Sequence, residues 1–315
     1  MRLAIVVPMY NEELCITRTV DVLTRLIEKY IEENLIENNS YILLVDDGSK
    51  DGTWNKTVEI KENNQYIKAI KFSKNFGNQY AIIAGYKQAQ NIGCDAVVTI
   101  DADLQQDETK IKDFIEAYND GYEIVCGIRR SYDNKYSFKS ITSYLFYKVI
   151  NFLGVYLHPN HSEYRLVGKK ALNIINQYKE TNIFVRGMIY DLGLKTKYIS
   201  YNIRKREFGE SKFNVVSLAK MAASAVVMFS IRPLRLVFLV GAVIATISMI
   251  LAVLMFIQMW LEAIKLPNSV RFRDVVIMFV LGMQILCTGI IGEYIGQILI
   301  EIKGRPRYII DEEID

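Results

Sequence analysis

Residues 236–261, LVFLVGAVIATISMILAVLMFIQMWL, contain no Asp, Glu, Lys or Arg. No other feature restricts the fold of this chain as strongly. As a helix the segment would be roughly 39 Å long at 1.5 Å per residue, enough to cross a bilayer with some tilt. A second segment, Val275 to Ile300, carries Glu293 as its only charge. Arg232 and Arg235 precede the first segment, and Lys303, Arg305 and Arg307 follow the second. Cationic flanks stay on the cytoplasmic side, so two spans would begin and end there. The loop near 262–274 mixes Glu262, Lys265, Arg271, Arg273 and Asp274 and has less bias. Residues 213–231 carry few charges and alternate apolar with small residues, as an interfacial helix would. The expectation is therefore a water-exposed part followed by a membrane hairpin.

The net charge of +3 over 315 residues is too small for a strong nucleic-acid footprint. Cys15, Cys94, Cys126 and Cys287 show no paired spacing, and His158 and His161 are the only histidines. That pattern disfavours a zinc site or a disulfide framework and points to a reducing compartment. The first residues, MRLAIVVPMYNEE, have a short apolar run that stops at Pro8 and acids. They read as a first strand and not as a signal peptide.

Residues 1–130 alternate short apolar runs with helical periodicity. Leu3–Val7 reads as a strand ended by Pro8, with Asn11 capping a helix over 13–33. Tyr41–Val45 is a second strand, stopping at Asp46-Asp47-Gly48-Ser49, with a helix opening at Asp51-Gly52-Thr53. Tyr66–Phe72 is a third strand, followed by a helix near 79–91. Val97–Ile100 is a fourth, ending at Asp101 and Asp103. A helix near 108–118 and a strand over Glu123–Cys126 complete the series. The alternation favours a parallel sheet with right-handed crossovers. Ligands in such sheets bind outside the carboxyl ends of the strands, where these acids fall. Two carboxylates one residue apart can hold Mg²⁺ or Mn²⁺ against a diphosphate. Neither G-x-G-x-x-G after the first strand nor G-x-x-x-x-G-K-[ST] is present, which removes the main support for dinucleotide and P-loop readings.

Beyond residue 130, residues 131–157 interleave Lys135, Lys139 and Lys148 with Tyr136, Phe138, Tyr144, Phe146 and Tyr147. This is either an ordinary amphipathic helix or one lying near a membrane. Glu163 and Arg165 would share a face if their segment is extended. Residues 183–191 read FVRGMIYDL. The stretch Arg204–Lys212, RKREFGESK, is either a solvated charge run or a cationic loop that wraps a diphosphate. Glu293 is a functional candidate because ionisable groups are rare in spans, or else one half of a structural pair near the span's end.

Taken in order, PMYNE (8–12), VDDGSKDGT (45–53), FSKNFGNQYAIIAG (72–85), DADLQQD (101–107), EYRL (163–166), FGESKF (208–213) and GEYIGQILIEIKGRPRY (292–308) resemble the family 2 glycosyltransferases. The similarity is to their polyisoprenyl-phosphate branch, which includes dolichol-phosphate mannose synthases and bacterial undecaprenyl-phosphate glucosyltransferases. The resemblance implies an α/β fold. A cytoplasmic GT-A domain (Rossmann-like, mostly parallel sheet) would cover 1–212 and an interfacial helix 213–232. Two transmembrane helices would lie within 233–302, with a cytoplasmic tail over 303–315, at the plasma membrane.

The same resemblance implies site roles. Pro8, Tyr10, Glu12, Asp46 and Asp47 would surround the nucleotide, and Asp101 and Ala102 would touch the sugar nucleotide. Asp103 and Gln105, with Asp101 close by, would take Mg²⁺ or Mn²⁺. Arg129, Arg165, Arg206, Ser211 and Lys212 would meet donor or acceptor phosphates. Glu163 stands where many relatives carry the Asp proposed as base; it would either act so or orient Arg165 or the acceptor, and with Asp103 it forms the catalytic pair implied. A phosphate monoester acceptor is already nucleophilic at neutral pH (its second pKa is about 6), so a strong base is not required.

The partners implied are a nucleotide sugar, with a uridine donor preferred by analogy, a polyisoprenyl phosphate and the membrane. Gly241, Gly282, Gly289, Gly292 and Gly296 would permit close helix packing, including in a homo-oligomer. A processive polysaccharide synthase is disfavoured by the lack of a Q-x-x-R-W segment and by too few spans. A non-catalytic nucleotide-binding membrane scaffold is disfavoured by the full set of site residues.

Overall fold

The computed structural model describes residues 1–130, 161–181, 183–204, the positions 234, 237, 239, 241, 243 and 246, and 270–315. The chain divides into two units. One comprises Met1–Lys148, Tyr156–Asn214 and Arg305–Asp315, and the other Val149–Val155 and Val215–Gly304.

The first unit is built on an eight-stranded sheet of order β7-β5-β6-β4-β1-β2-β3-β8. The strands are β1 (Leu3–Met9), β2 (Tyr41–Asp46), β3 (Ile67–Phe72), β4 (Ala96–Thr99), β5 (Ile124–Arg129), β6 (His161–Gly168), β7 (Thr196–Tyr201) and β8 (Ile310–Ile314). Four of the seven pairings are parallel: β1 with β2 and β4, β2 with β3, and β5 with β7. The α-helices of this unit among the described residues are α1 (Ile16–Glu32), α2 (Thr53–Glu62), α3 (Asn78–Ile92), α4 (Ile111–Asn119), α5 (Lys169–Ile175) and α6 (Val185–Asp191).

Every residue of β1 is buried, as expected of a parallel strand covered on both faces. Leu3, Ile5, Val7 and Met9 join one core cluster with Ile16, Val20, Leu23 and Ile27 of α1 and Phe114 and Ile115 of α4. The apolar spacing of α1 thus matches its packed face. On the opposite face of β1, Val6 lies under Gly85 of α3. A Cβ on Gly85 would come within 2.4 Å of Val6 Cγ1, so only glycine lets α3 sit this close.

Four sequence expectations change. Pro8 does not end β1; it pairs in register with Val45. The Ile100 N–H bonds to the Val6 carbonyl, so the backbone polar groups of Val6 and Pro8 face β4. β4 pairs no further than Val6 opposite Thr99, so the N–H that Pro8 lacks costs no ladder bond. Asn11 does not cap α1, which starts after Cys15. Asn11 has φ of 54° and joins two loops, its N–H to Ser49 Oγ and its Oδ1 to the Lys50 N–H, both at 2.9 Å.

The parallel series is also interrupted, because β6 runs antiparallel between β4 and β5. Finally, residues 303–315 are more than a tail. β8 pairs antiparallel with β3 at the sheet edge, fastened by Lys71–Glu312 and Lys68–Asp315 ion pairs at 2.7 Å. Tyr308 stacks on Phe72 with ring centroids 5.0 Å apart.

In the second unit, α7 (Val270–Ile302) contains Met283–Ile302, long and apolar enough to cross a membrane. It is the only such helix among the described residues. The expected first span, 236–261, lies almost wholly outside them. Within α7, Gln297 Nε2 donates to Glu293 Oε1 at 3.5 Å.

Candidate active site

The carboxyl ends of β1, β2, β4 and β5 point the same way, because β1, β2 and β4 are mutually parallel and β6 reverses direction twice between β4 and β5. That edge gathers Pro8 near the end of β1 and Tyr10 after it, Asp46 at the end of β2 and Asp47 after it, Asp101, Ala102 and Asp103 after β4, and Arg129 at the exposed end of β5. The antiparallel β6 enters this edge from outside and brings Glu163. The β4–β6 pairing ends with Thr99 opposite Arg165, so Asp101 and Glu163 both lie two residues beyond it at this edge.

On the β2 side, Asp46 is fully buried. Its Oδ1 accepts from the Ser49 N–H at 2.9 Å and from Ser49 Oγ at 2.5 Å, and its Oδ2 has no partner among the described residues. Burial raises its pKa despite the Ser49 hydrogen bonds. Asp47 accepts the N–H groups of Phe76 at 2.7 Å and Gly77 at 2.8 Å, so it shapes the loop between β3 and α3. Burial pushes it up to about 6. Glu12 is half-buried and accepts from Cys15 Sγ at 3.2 Å, and its N–H donates to Thr53 Oγ1 at 2.9 Å.

The turn after β4 is tightly held. Gln106 Oε1 accepts the Asp101 N–H and Gln106 Nε2 donates to Asp101 Oδ2. Thr19 Oγ1 donates to the carbonyl of buried Ala102 at 2.5 Å. Leu104 takes a φ of 49°, and the Gln105 N–H donates to Asp103 Oδ1 at 3.1 Å. Burial, then the Asp103 and Glu163 charges, push the Asp101 carboxyl up to about 7. Arg204 clamps the stretch from outside, its N–H on the Gln105 carbonyl at 3.0 Å and its Nη1 on Glu108 Oε2 at 2.6 Å.

Glu163 is enclosed by donors. Arg165 Nη2 donates to its Oε2, while Arg186 Nε at 2.6 Å and Gln79 Nε2 at 3.2 Å donate to its Oε1. Arg165 is fully buried, and its Nη2 also bonds the Ser162 carbonyl at 3.2 Å. In this position it forms an ion pair with Glu163. Arg206, Ser211 and Lys212 lie outside the described residues, as does 131–157.

Sequence reasoning assigned no role to Gln79, Gln106 or Arg186, and placed Arg204 in a stretch read as a charge run or a diphosphate-wrapping loop. Gln79 and Gln106 lay inside quoted motifs, and Arg186 lay in a stretch set aside as unassigned. Among the described residues no three His, Cys, Asp or Glu side chains are grouped as a metal site. Asp101 and Asp103 give a two-carboxylate set, the number Mg²⁺ uses when substrate phosphates complete its shell.

A family model described as glycosyl transferase family 2 matches residues 4–177, the segment that carries this edge. The chain belongs to glycosyl transferase family 2. A second model, described as the GtrB C-terminal hairpin, matches residues 232–298. Among family 2 relatives, the uncharacterized glycosyltransferase YkoT of Bacillus subtilis is 38% identical, over 99% of this chain and 92% of that one. The SfII prophage-derived bactoprenol glucosyl transferase of Shigella flexneri is 31% identical, over 98% of this chain and 97% of that one. Among solved structures, glucosyl-3-phosphoglycerate synthase from Mycobacterium tuberculosis aligns at 15% identity over 72% of this chain and 78% of that one, with a TM-score of 0.45. Family membership makes the protein a transferase with the GT-A, Rossmann-like mixed sheet.

Proposed function

We propose that the protein transfers a sugar from a nucleoside diphosphate donor, by preference a UDP-sugar, to undecaprenyl phosphate at the cytoplasmic face of the plasma membrane. The product would serve modification of cell-envelope glycans. One observation carries the reading. The strand ends bring Asp101 and Asp103 to one edge with Arg129 and the Glu163–Arg186 pair. A departing nucleoside diphosphate gains charge in the transition state, and fixed cations there stabilise it.

The full-length likeness to a bactoprenol glucosyl transferase supports the lipid acceptor. The GtrB hairpin match and the apolar helix Met283–Ile302 support a two-span anchor. Asp103 and Asp101, with Gln105 beside them, would hold Mg²⁺ or Mn²⁺, which when bound would neutralise diphosphate charge. Asp46, with its open Oδ2, and Asp47 would face the base and ribose with Pro8, Tyr10 and Glu12. With both oxygens of Glu163 engaged by guanidinium groups, we assign it to holding charge and geometry in place of proton abstraction.

The test is incubation of the membrane protein with labelled UDP-glucose, UDP-N-acetylglucosamine, UDP-galactose or GDP-mannose and undecaprenyl phosphate, followed by organic extraction. Lipid-soluble label with one donor is expected. Asp103→Ala and removal of divalent cations should each abolish it. No extractable label with any donor would refute the reading.

A further inference from the structure

We propose that Arg186, at the start of α6, binds a phosphate oxygen of a substrate through its two Nη groups. The inference rests on the transferase reading above and adds to that site a residue and its ligand chemistry.

The position of Arg186 is fixed from two directions. Its Nε donates to Glu163 Oε1 at 2.6 Å. The helix that carries it is held by Gln79, whose Oε1 accepts the Val185 N–H at 3.0 Å while its Nε2 reaches the same Glu163 oxygen. One side chain therefore aligns both members of the ion pair.

Charge balance at Glu163 alone does not require Arg186. Glu163 is already neutralised by Arg165, which is fully buried. A second guanidinium leaves the Arg165–Glu163–Arg186 trio with one net positive charge. Arg186 also differs from Arg165 in access, since 28% of its side chain is exposed against 0%. Its Nη1 and Nη2 make no hydrogen bond among the described residues, because the carboxylate takes the Nε edge. The β4–β6 pairing ends at Thr99 opposite Arg165, so Glu163, with Arg186 bonded to it, lies beyond that pair at the same end of the sheet as Asp101 and Asp103. An arginine immobilised at Nε with a free pair of donors offers the planar fork that matches phosphate oxygens two at a time.

That chemistry fits both the donor diphosphate and the acceptor monoester, and the experiment separates them. Full-length protein in detergent is titrated with UDP plus Mg²⁺, and separately with undecaprenyl phosphate in mixed micelles. The original chain is compared with Arg186→Gln and Arg186→Lys. One ligand should lose about tenfold or more in affinity in Arg186→Gln, the scale of one charge-assisted hydrogen bond, and about threefold in Arg186→Lys. Loss confined to UDP identifies the donor diphosphate, and loss confined to the lipid identifies the acceptor. Affinities for both ligands within about twofold in both variants would overturn the proposal, even with a lower kcat, since Arg186 would then only position Glu163. Should Arg186→Gln fail to fold, the charge-conserving Arg186→Lys decides on its threefold criterion. Binding is read without turnover, so absent transfer counts against the proposed function and leaves this result standing. A parent chain that binds neither ligand overturns both.

Discussion

Gln106 grips Asp101 at two points, accepting its N–H at 2.8 Å and donating to its Oδ2 at 2.6 Å. Only 2% of Gln106 is exposed, so its amide is set aside for this one neighbour. Gln106→Leu keeps most of the volume and leaves a shielded Asp101 N–H without its acceptor. Such a loss costs about 1–3 kcal/mol of stability. The freed carboxylate should also lower kcat by about 10- to 100-fold, the scale of a misplaced site group. Initial rates and denaturant titration measure both, and an unchanged kcat would show that Asp101 needs no such orientation.

Glu163 and Arg165 form a pair with almost no solvent access, which predicts a strongly non-additive double-mutant cycle. Glu163→Gln strands the Arg165 cation in the interior and should cost about 3–5 kcal/mol. Arg165→Met should cost less, because Arg186 still neutralises Glu163. The double variant should be more stable than Glu163→Gln alone. Urea unfolding of the four proteins in one detergent gives the coupling, and simple additivity would mean that the pair is not formed.

Asp47 gives stability a dependence on pH. Its folded pKa is about 6, raised by burial from an ordinary value near 3.8. Between those values the folded chain binds more protons than the unfolded chain, so stability falls as pH rises. The contribution is greatest below pH 4 and lost above pH 6. About two pKa units at 1.36 kcal/mol each set the ceiling near 3 kcal/mol. Unfolding free energies from pH 4 to pH 7 should therefore drop more steeply in the original protein than in Asp47→Asn. Parallel curves would contradict this.

The β3–β8 edge makes a different prediction. Tyr308 stacks on Phe72, Phe72 meets Phe76 edge-on at 5.8 Å, and the Ser73 N–H donates to the Ile309 carbonyl at 3.0 Å. Tyr308→Ala should cost about 0.5–1.5 kcal/mol beyond lost area. It should speed hydrogen exchange at Ser73, Phe76 and Gly77, the loop that Asp47 holds. Glu312→Ala removes an ion pair with Lys71 and a part-buried hydrogen bond from Trp54 Nε1, should cost about 1–2 kcal/mol, and should leave that loop protected. Equal exchange in the two variants would separate the loop from β8.

The strand–helix alternation up to β5 was legible because each apolar run ends at residues that turn the chain. The acids Asp46, Asp47, Asp101 and Asp103 were legible for the same reason, since strand ends in such sheets are where ligands bind. What periodicity does not encode is partner choice. Nothing local to 161–168 says that this run reverses direction between two strands already made. Nothing in the charged stretch 310–315 announces a strand, because its glutamates and aspartates lose their cost only when Lys68 and Lys71 lie opposite. Pro8 read as a stop because the side its missing N–H would face depends on where β4 ends. Gln79, Gln106 and Arg186 acquire meaning only through neighbours brought together by the sheet, so no spacing rule could have selected them.

β8 also sets an order of events during biosynthesis. β3 is made early, and everything between Phe72 and Ile310, including the long apolar helix, leaves the ribosome before its last partner exists. Through that interval the sheet presents an open edge, the kind of surface that recruits foreign strands. Lys68 and Lys71 place charge along it, and charged edges resist such association. The same two lysines then receive Asp315 and Glu312 when β8 arrives. They would thus guard the unfinished sheet first and latch the finished one afterwards.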